Sequence, residues 1–127
     1  MPVAIQIEPE QQLVTFECSG TVVSDDVRAA FFGMIDDPRF TPGINALWDL
    51  RKASIGVRMQ EVPALLDMIT SRQDDRGKNY RVAILVSGSP DFGLSTLFEM
   101  SAHAMPFMVR VFRSRTQATQ WLAGEEV

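Results

Sequence analysis

The chain has 127 residues, of which 46% are hydrophobic and 22% charged, and its formal net charge is −4. This composition predicts one globular domain over residues 1–127, long enough to bury a core. The acidic balance argues against non-specific nucleic-acid binding, which needs a basic surface. Cys18 stands alone, and the sequence shows neither a signal-peptide pattern nor an apolar run near the roughly 20 residues that span a bilayer. We therefore expect a cytoplasmic protein without disulfides or membrane spans.

The first two predicted strands form a hairpin. Val3 to Glu8 alternates apolar and polar residues, and Leu13 to Cys18 resumes that pattern after the turn Pro9–Gln12. Ser19-Gly20-Thr21 breaks the second strand or marks a bulge in it. A helix follows, with Ser24 as its predicted N-cap and its end at Asp36-Asp37, before Pro38.

The segment Ile44–Leu50 is the predicted centre of the domain. It is a short, mostly apolar strand that stops at Asp49-Leu50 and continues as a polar loop, Arg51–Arg58. In open α/β sheets, ligands and partners gather at the carboxyl ends of the strands. We therefore expect any working surface of this protein to lie there.

Further helices and strands alternate through the remaining residues. A helix begins near Gln60, because Pro63 is tolerated only in a first turn. The polar run Arg72–Asn79 predicts a helix stop and a loop. The last predicted elements are a strand over Tyr80–Ser87, a helix capped by Ser89, a strand over Phe107–Phe112, and a capped helix from Ser114 to Gly124.

This order predicts an α/β fold with a five-stranded mixed sheet, an N-terminal β-hairpin and four flanking helices. Short motifs stand in order along nearly the whole chain: Asp37-Pro38-Arg39-Phe40, Leu47-Trp48-Asp49-Leu50-Arg51, Arg81-Val82-Ala83-Ile84, Phe92-Gly93-Leu94, Val111-Phe112-Arg113, and Ala118 with Trp121-Leu122. Their set and spacing resemble the STAS family, specifically its SpoIIAA-like branch. The resemblance implies a regulatory or binding module that acts through protein–protein interaction, with no cofactor and no enzymatic activity.

In anti-sigma-factor antagonists of the wider family, a serine at the start of the helix after the third strand is phosphorylated. The family motif is aspartate, serine, glycine, whereas this chain reads Ser54-Ile55-Gly56-Val57 and has no Asp-Ser pair before the helix. We therefore expect no serine phosphorylation switch.

The candidate residues for binding a ligand or partner are Asp49, Arg51, Lys52, Ser54 and Arg58. Asp49 could act as a general base, but pairing with Arg51 or capping of loop amides explains it better, because no second catalytic group stands at a defined spacing. The three cations could attract an anionic group or could be solvated charges.

No catalytic residue and no metal site are predicted. His103 is the single histidine and has no acid near it in sequence, and one histidine with one cysteine is too few for a structural zinc site.

Three apolar side chains, Phe32, Ala64 and Met68, are predicted to lie off the core faces of their helices. Together they could form one patch through which the chain forms a homodimer.

Two kinds of function follow from these observations. The first is a module that binds a protein partner or itself. The second is a small carrier or sensor of an apolar, lipid-like or anionic ligand, held in an interior rich in Met and Phe. An enclosed apolar cavity would favour the carrier, and a filled core with a flat exposed patch would favour the partner module.

Overall fold

The computed structural model describes residues 2–87, 95 and 98–125. One sheet holds its strands in the order β1-β2-β3-β4-β5. The strands are β1 (Val3–Glu8), β2 (Leu13–Val22), β3 (Asn45–Ile55), β4 (Arg81–Leu85) and β5 (Met108–Phe112). β1 pairs antiparallel with β2, and the three later pairings are parallel. The predicted α/β class, with its leading hairpin and five-stranded mixed sheet, is confirmed.

The helices with defined bounds are α1 (Ser24–Ile35), α2 (Val62–Ser71), α3 (Gln73–Arg76) and α4 (Arg115–Leu122). Residues 98–101 are also helical. The predicted cap Ser89 and the Phe92-Gly93-Leu94 motif lie outside the described residues. Within the described ranges, no helix is long and apolar enough to cross a membrane.

Helices cover both faces of the sheet. Successive residues of a strand point to opposite faces, and the neighbours Ala46 and Leu47 accordingly belong to two separate buried clusters. The larger cluster joins the sheet to α1 and α2. The smaller one joins Leu47, Ala83 and Leu85 to Trp121 and Leu122 of α4. The fold is therefore three layers, with unequal cores on its two faces.

β3 extends past its predicted end at Leu50 and continues to Ile55. The prediction of a loop over Arg51–Arg58 is therefore wrong for residues 51–55. β2 does not break at Ser19–Thr21, and its second half provides backbone partners for residues 52–55 of β3. Glu17 pairs with Asp49 and Ser19 pairs with Lys52, so β3 has one more residue than β2 between these two pairs. The extra residue forms a bulge in β3. The extra residue reverses which face each later side chain occupies, and Ile55 consequently packs against the larger core.

The predicted caps have different outcomes. Ser24 is the first residue of α1 and not its N-cap, which is Val23. The backbone N–H of Val23 donates to Oδ2 of Asp26 at 2.9 Å, so the acidic residue closes this helix end. Ser114 is confirmed as an N-cap, because its Oγ accepts from the backbone N–H of Gln117 at 3.3 Å. Pro63 lies in the first turn of α2, as predicted.

The polar run after α2 is not simply a loop. Residues Gln73–Arg76 form the single turn α3, whose last residue is buried. Gly77 then adopts φ +91°, and a Cβ at this position would clash with the backbone of Gly43. The backbone N–H of Gly43 donates to the carbonyl oxygen of Arg76 at 2.9 Å. This contact holds the end of α3 against the loop that leads into β3.

Candidate functional site

Asp49 lies on the α4 side of β3 and is held by two arginines. Its Oδ1 accepts from the backbone N–H and from Nε of Arg51, at 3.2 and 3.0 Å. Its Oδ2 accepts from Nη2 of Arg51 at 2.9 Å and from Nη1 of Arg115 at 3.1 Å. Arg115 also lies 3.4 Å from Oε1 of Glu17. Four donors therefore occupy a carboxylate that is almost fully buried.

These contacts decide between the two interpretations of Asp49. The hydrogen bonds from the Arg51 side chain hold the pKa of Asp49 below its usual value, and burial acts in the opposite direction. The same pairing raises the pKa of Arg51. A general base needs a pKa near the working pH and a free lone pair, and Asp49 has neither. The geometry supports the structural role, with the predicted Asp49–Arg51 pair present.

The other predicted binding residues do not join this cluster through the contacts of the described chain. Lys52 and Ser54 are exposed on β3, after the bulge. Arg58 follows the strand, and its side chain lies 3.8 Å from Oε1 of Glu61. His103 is exposed. In the described ranges, no group of three or more His, Cys, Asp or Glu side chains could hold a metal ion.

The opposite face of the sheet contains an apolar cavity of about 130 Å³. It lies between β2, β3 and β4 on one side and α1 and α2 on the other. The side chains in its wall are almost all apolar, including Phe16, Met34, Trp48, Leu65, Met68 and Phe107. Phe16 and Trp48 stack with their ring centroids 3.9 Å apart, which makes one side of the cavity flat and aromatic.

Arg76 is the charged residue among the described residues of the cavity wall. Only 2% of it is exposed. Its Cζ lies 3.5 Å from the ring centroid of Tyr80 and 5.6 Å from that of Phe40, so aromatic faces contact the guanidinium group. Tyr80 in turn stacks on Phe107 at 4.9 Å. Nη1 of Arg76 is buried and has no hydrogen-bond partner in the part of the chain that the structure describes.

Burial lowers the pKa of Arg76 to about 10, although the nearby Tyr80 acts in the opposite direction. The group therefore stays cationic at neutral pH. Burial also raises the pKa of Tyr80 to about 12.

Cys18 is buried in β2, on the same face of the sheet as the cavity. Burial raises the pKa of its thiol to about 12, and the negative charges of Asp49, Glu17 and Asp26 add to this effect. The side chain therefore remains a protonated thiol.

The three residues of the predicted self-association patch differ in their exposure. Met68 is buried and lines the cavity, so its assignment to an outer face of α2 is wrong. Phe32 is half-buried, with its ring 5.6 Å from Phe31 and 5.4 Å below the guanidinium group of Arg72. Ala64 is exposed. Self-association through Phe32 and Ala64 stays a prediction.

The burial of Arg76 was not predicted, because this residue stands in a polar run that favours solvent exposure. One signal was present. Gly77 directly after Arg76 permits a positive φ, so the chain can turn back and press α3 onto the domain. Tyr80, whose ring covers the guanidinium group, stands shortly after Arg76 in the sequence.

Comparison with known proteins identifies the fold of this chain. Neither a scan against models of protein families nor a search of curated proteins found a match. Among solved structures, the chain is similar to a DUF3478-family protein with a SpoIIAA-like fold from Shewanella loihica PV-4, with 22% identity and a TM-score of 0.57. That match covers 94% of this chain and 93% of the other. The chain is also similar to the anti-sigma factor antagonist SpoIIAA in its unphosphorylated form, with 14% identity, a TM-score of 0.52, and coverage of 96% and 98%. The chain therefore has the STAS-type, SpoIIAA-like fold that its sequence motifs predicted.

Proposed function

We propose that this chain is a non-enzymatic binding module that receives a small apolar ligand in the cavity between its sheet and helices α1 and α2. The observation that carries the proposal is the cavity of about 130 Å³, lined almost throughout by apolar side chains. An engineered apolar cavity of about 150 Å³ in another protein stays dry and binds benzene. A ligand of that size, or one with a ring or a chain of about six carbons, fits the space.

The energetic cost of such a cavity supports this proposal. Protein interiors are close-packed, and voids larger than a water molecule are few. At roughly 24 cal/mol per Å³, a fully enclosed void of this size would cost about 3 kcal/mol. The cavity here is partly open to solvent, so its cost is smaller than this value. A ligand that fills the space recovers much of this loss, so a binding role accounts for it.

The test is to fill the cavity with a side chain. Ala46 is buried in β3 and lines the cavity, so Ala46→Leu places three additional carbon atoms in it. The purified protein is titrated with 1-hexanol and binding is followed by nuclear magnetic resonance. We expect saturable binding with shifts at Trp48 and Met68, and loss of that binding in Ala46→Leu.

Ala29→Leu is the matched control, because Ala29 is exposed on α1 and the same atoms are added on the solvent side. This variant is expected to bind 1-hexanol as the unchanged protein does. Native mass spectrometry of the purified protein adds a second measurement, since it reports a retained ligand directly. Undiminished binding to Ala46→Leu would contradict the proposal, as would failure of the unchanged protein to bind 1-hexanol and the other six-carbon ligands compared below.

A second candidate function is a regulatory module that binds a protein partner, without a serine switch. The likeness to an anti-sigma factor antagonist supports it at the level of the fold. Ser54 is exposed in β3 and pairs there with Thr21, well before α2 begins at Val62. A switch serine at the start of that helix is therefore not proposed. Phosphorylation of Ser54 by an anti-sigma kinase, with loss of partner binding, would contradict this.

A further inference from the structure

The guanidinium group of Arg76 is an unusual component of an apolar interior. Arginine is rarely fully buried unless a carboxylate or another acceptor satisfies it, because an unpaired charge loses its hydration. Only 2% of Arg76 is exposed, and its side chain stays protonated at neutral pH.

The contacts of Arg76 satisfy only part of this group. The rings of Tyr80 and Phe40 contact its faces and stabilise its charge, but an aromatic face does not replace an in-plane acceptor. Nη1 carries two N–H donors and has no hydrogen-bond partner. Among the ion pairs of the described residues, none includes Arg76. Arg51, Arg72 and Arg115, by contrast, each pair with a carboxylate.

We propose that the ligand of this cavity is a small apolar carboxylate, whose head group accepts hydrogen bonds from Arg76 and whose tail fills the apolar space. This inference rests on the function proposed above and adds the charge of the ligand to it. Arg76 lies in the cavity wall, and its Nη1 has no hydrogen-bond partner among the described residues. A molecule that fills the cavity therefore lies beside this side chain, and a small shift of the guanidinium group would bring its donors to the ligand.

The charge of the site favours a carboxylate over a phosphate. One arginine supplies a single positive charge, which matches one carboxylate and its planar pair of acceptors. A phosphate group carries up to two charges and more acceptor oxygens, and it needs several donors. The other side chains with a polar atom among the described wall residues are Trp48, Tyr80 and Ser95, which are neutral. The apolar space of about 130 Å³ then limits the tail to about six carbons.

The experiment compares three ligands that each contain six carbon atoms and differ in their polar group: hexanoate, 1-hexanol and hexylamine. Binding to the full chain is measured by calorimetry at neutral pH. A charge-assisted hydrogen bond in a buried site corresponds to about tenfold to a hundredfold in affinity, so we expect hexanoate to bind at least about tenfold more tightly than 1-hexanol. Hexylamine, a cation beside a cation, is expected to show no binding.

Two variants test the role of Arg76 itself. Arg76→Met removes the charge and keeps a side chain of similar length, so the preference for hexanoate should disappear while 1-hexanol still binds. Arg76→Lys keeps the charge without the planar fork and should retain part of the preference. Cooperative thermal unfolding of each variant shows that it is folded. If a variant does not fold, the three ligands with the unchanged protein decide the question alone.

The outcomes separate the two proposals. Equal affinity for hexanoate and 1-hexanol, or undiminished binding of hexanoate to folded Arg76→Met, would overturn the carboxylate inference and leave the apolar binding module in place. Absence of binding by all three ligands would overturn both proposals.

Discussion

At the scale of single residues, the chain contains the same local motif in two settings. Asp37 and Asp49 each accept from the backbone N–H, Nε and Nη2 of the arginine two positions later. The side chain of Asp49 is 6% exposed, whereas that of Asp37 is 22% exposed. Asp49 also has Arg115 as a second partner. The two sites therefore allow a comparison of the same motif at an accessible position and at a buried position with a second arginine.

Replacement of Asp49 by Asn is expected to destabilise the fold. The variant keeps the shape of the side chain but loses the charge that Arg51 and Arg115 both contact. Hydrogen bonds to a buried charged group contribute about 1.5–3 kcal/mol, so the free energy of unfolding should fall by about this amount at pH 7. Urea unfolding measures it. Asp37→Asn is the control and should change the free energy much less, since solvent competes at that site.

The effect of Asp49 should depend on pH in one direction. Its pKa in the folded chain lies below the value of about 3.9 expected in the unfolded chain. Its contribution is therefore fully present above about pH 4 and is lost as the pH falls through the folded pKa. The difference in stability between the unchanged protein and Asp49→Asn should narrow on acidification below about pH 4. A difference that stays constant into this range would show that ionisation of Asp49 does not stabilise the fold.

At the scale of elements, α3 and its connection to β3 depend on Gly77. Its φ of +91° disfavours any side chain, and a Cβ would clash with the backbone of Gly43. Gly77→Ala is therefore expected to cost at least about 2 kcal/mol, from backbone strain and from the clash. Gly124 provides the control, with φ +93° and no atom within 4 Å of a Cβ. Gly124→Ala should show the strain alone, so equal losses in the two variants would contradict a packing role for Gly77.

The last helix, α4, is a docked element of the fold. Ala118, Trp121 and Leu122 are buried against Leu47, Ala83 and Leu85 of the sheet. Trp121→Ala should reduce the free energy of unfolding by roughly 3–5 kcal/mol, because it removes a buried aromatic side chain and leaves a cavity. Chemical denaturation measures the change, and a loss below about 1 kcal/mol would indicate a peripheral helix.

Periodicity and turn chemistry predicted which elements form, but they did not predict where β3 ends. Lys52 and Ser54 favour a loop by composition, and they remain in the sheet because β2 supplies paired backbone beside them. Such pairing depends on a strand more than thirty residues earlier, which local patterns do not encode. Local patterns also failed at the start of α1. Ser24 was the predicted N-cap, but the N-cap is Val23, and its backbone N–H donates to the carboxylate of Asp26.

At the scale of the whole molecule, the two faces of the sheet are packed differently. Ala46 lines the cavity, whereas Ala83 lies in the filled core beneath α4. We expect Ala46→Leu to stabilise the ligand-free protein by roughly 0.5–2 kcal/mol, because it fills a void. Ala83→Leu should destabilise it by roughly 1–3 kcal/mol, because it overpacks a filled core. Thermal unfolding of both variants measures the contrast, and destabilisation by Ala46→Leu would show that the space is not available.

The α/β class and the sheet could be predicted from the sequence, and the Asp49–Arg51 pair could be proposed from two residues of one short motif. The cavity could not be predicted, because it depends on how side chains from several separate elements pack against one another. Met68 is an example: its spacing in α2 suggested an outer face, whereas in the structure it is buried and lines the cavity. Arg76 was missed for the same reason, since its burial depends on Phe40 and Tyr80 and not on its polar neighbours.

The protonated, buried thiol of Cys18 allows opening of the domain to be measured by alkylation. Alkylating reagents attack the thiolate, and a pKa of about 12 leaves almost none of it at neutral pH while the domain stays folded. Since the chain has one cysteine, every alkylated molecule records an opening of the domain at β2. The labelling rate with iodoacetamide should therefore follow the population of opened molecules, and a bound ligand that closes the cavity should slow it in proportion to its occupancy.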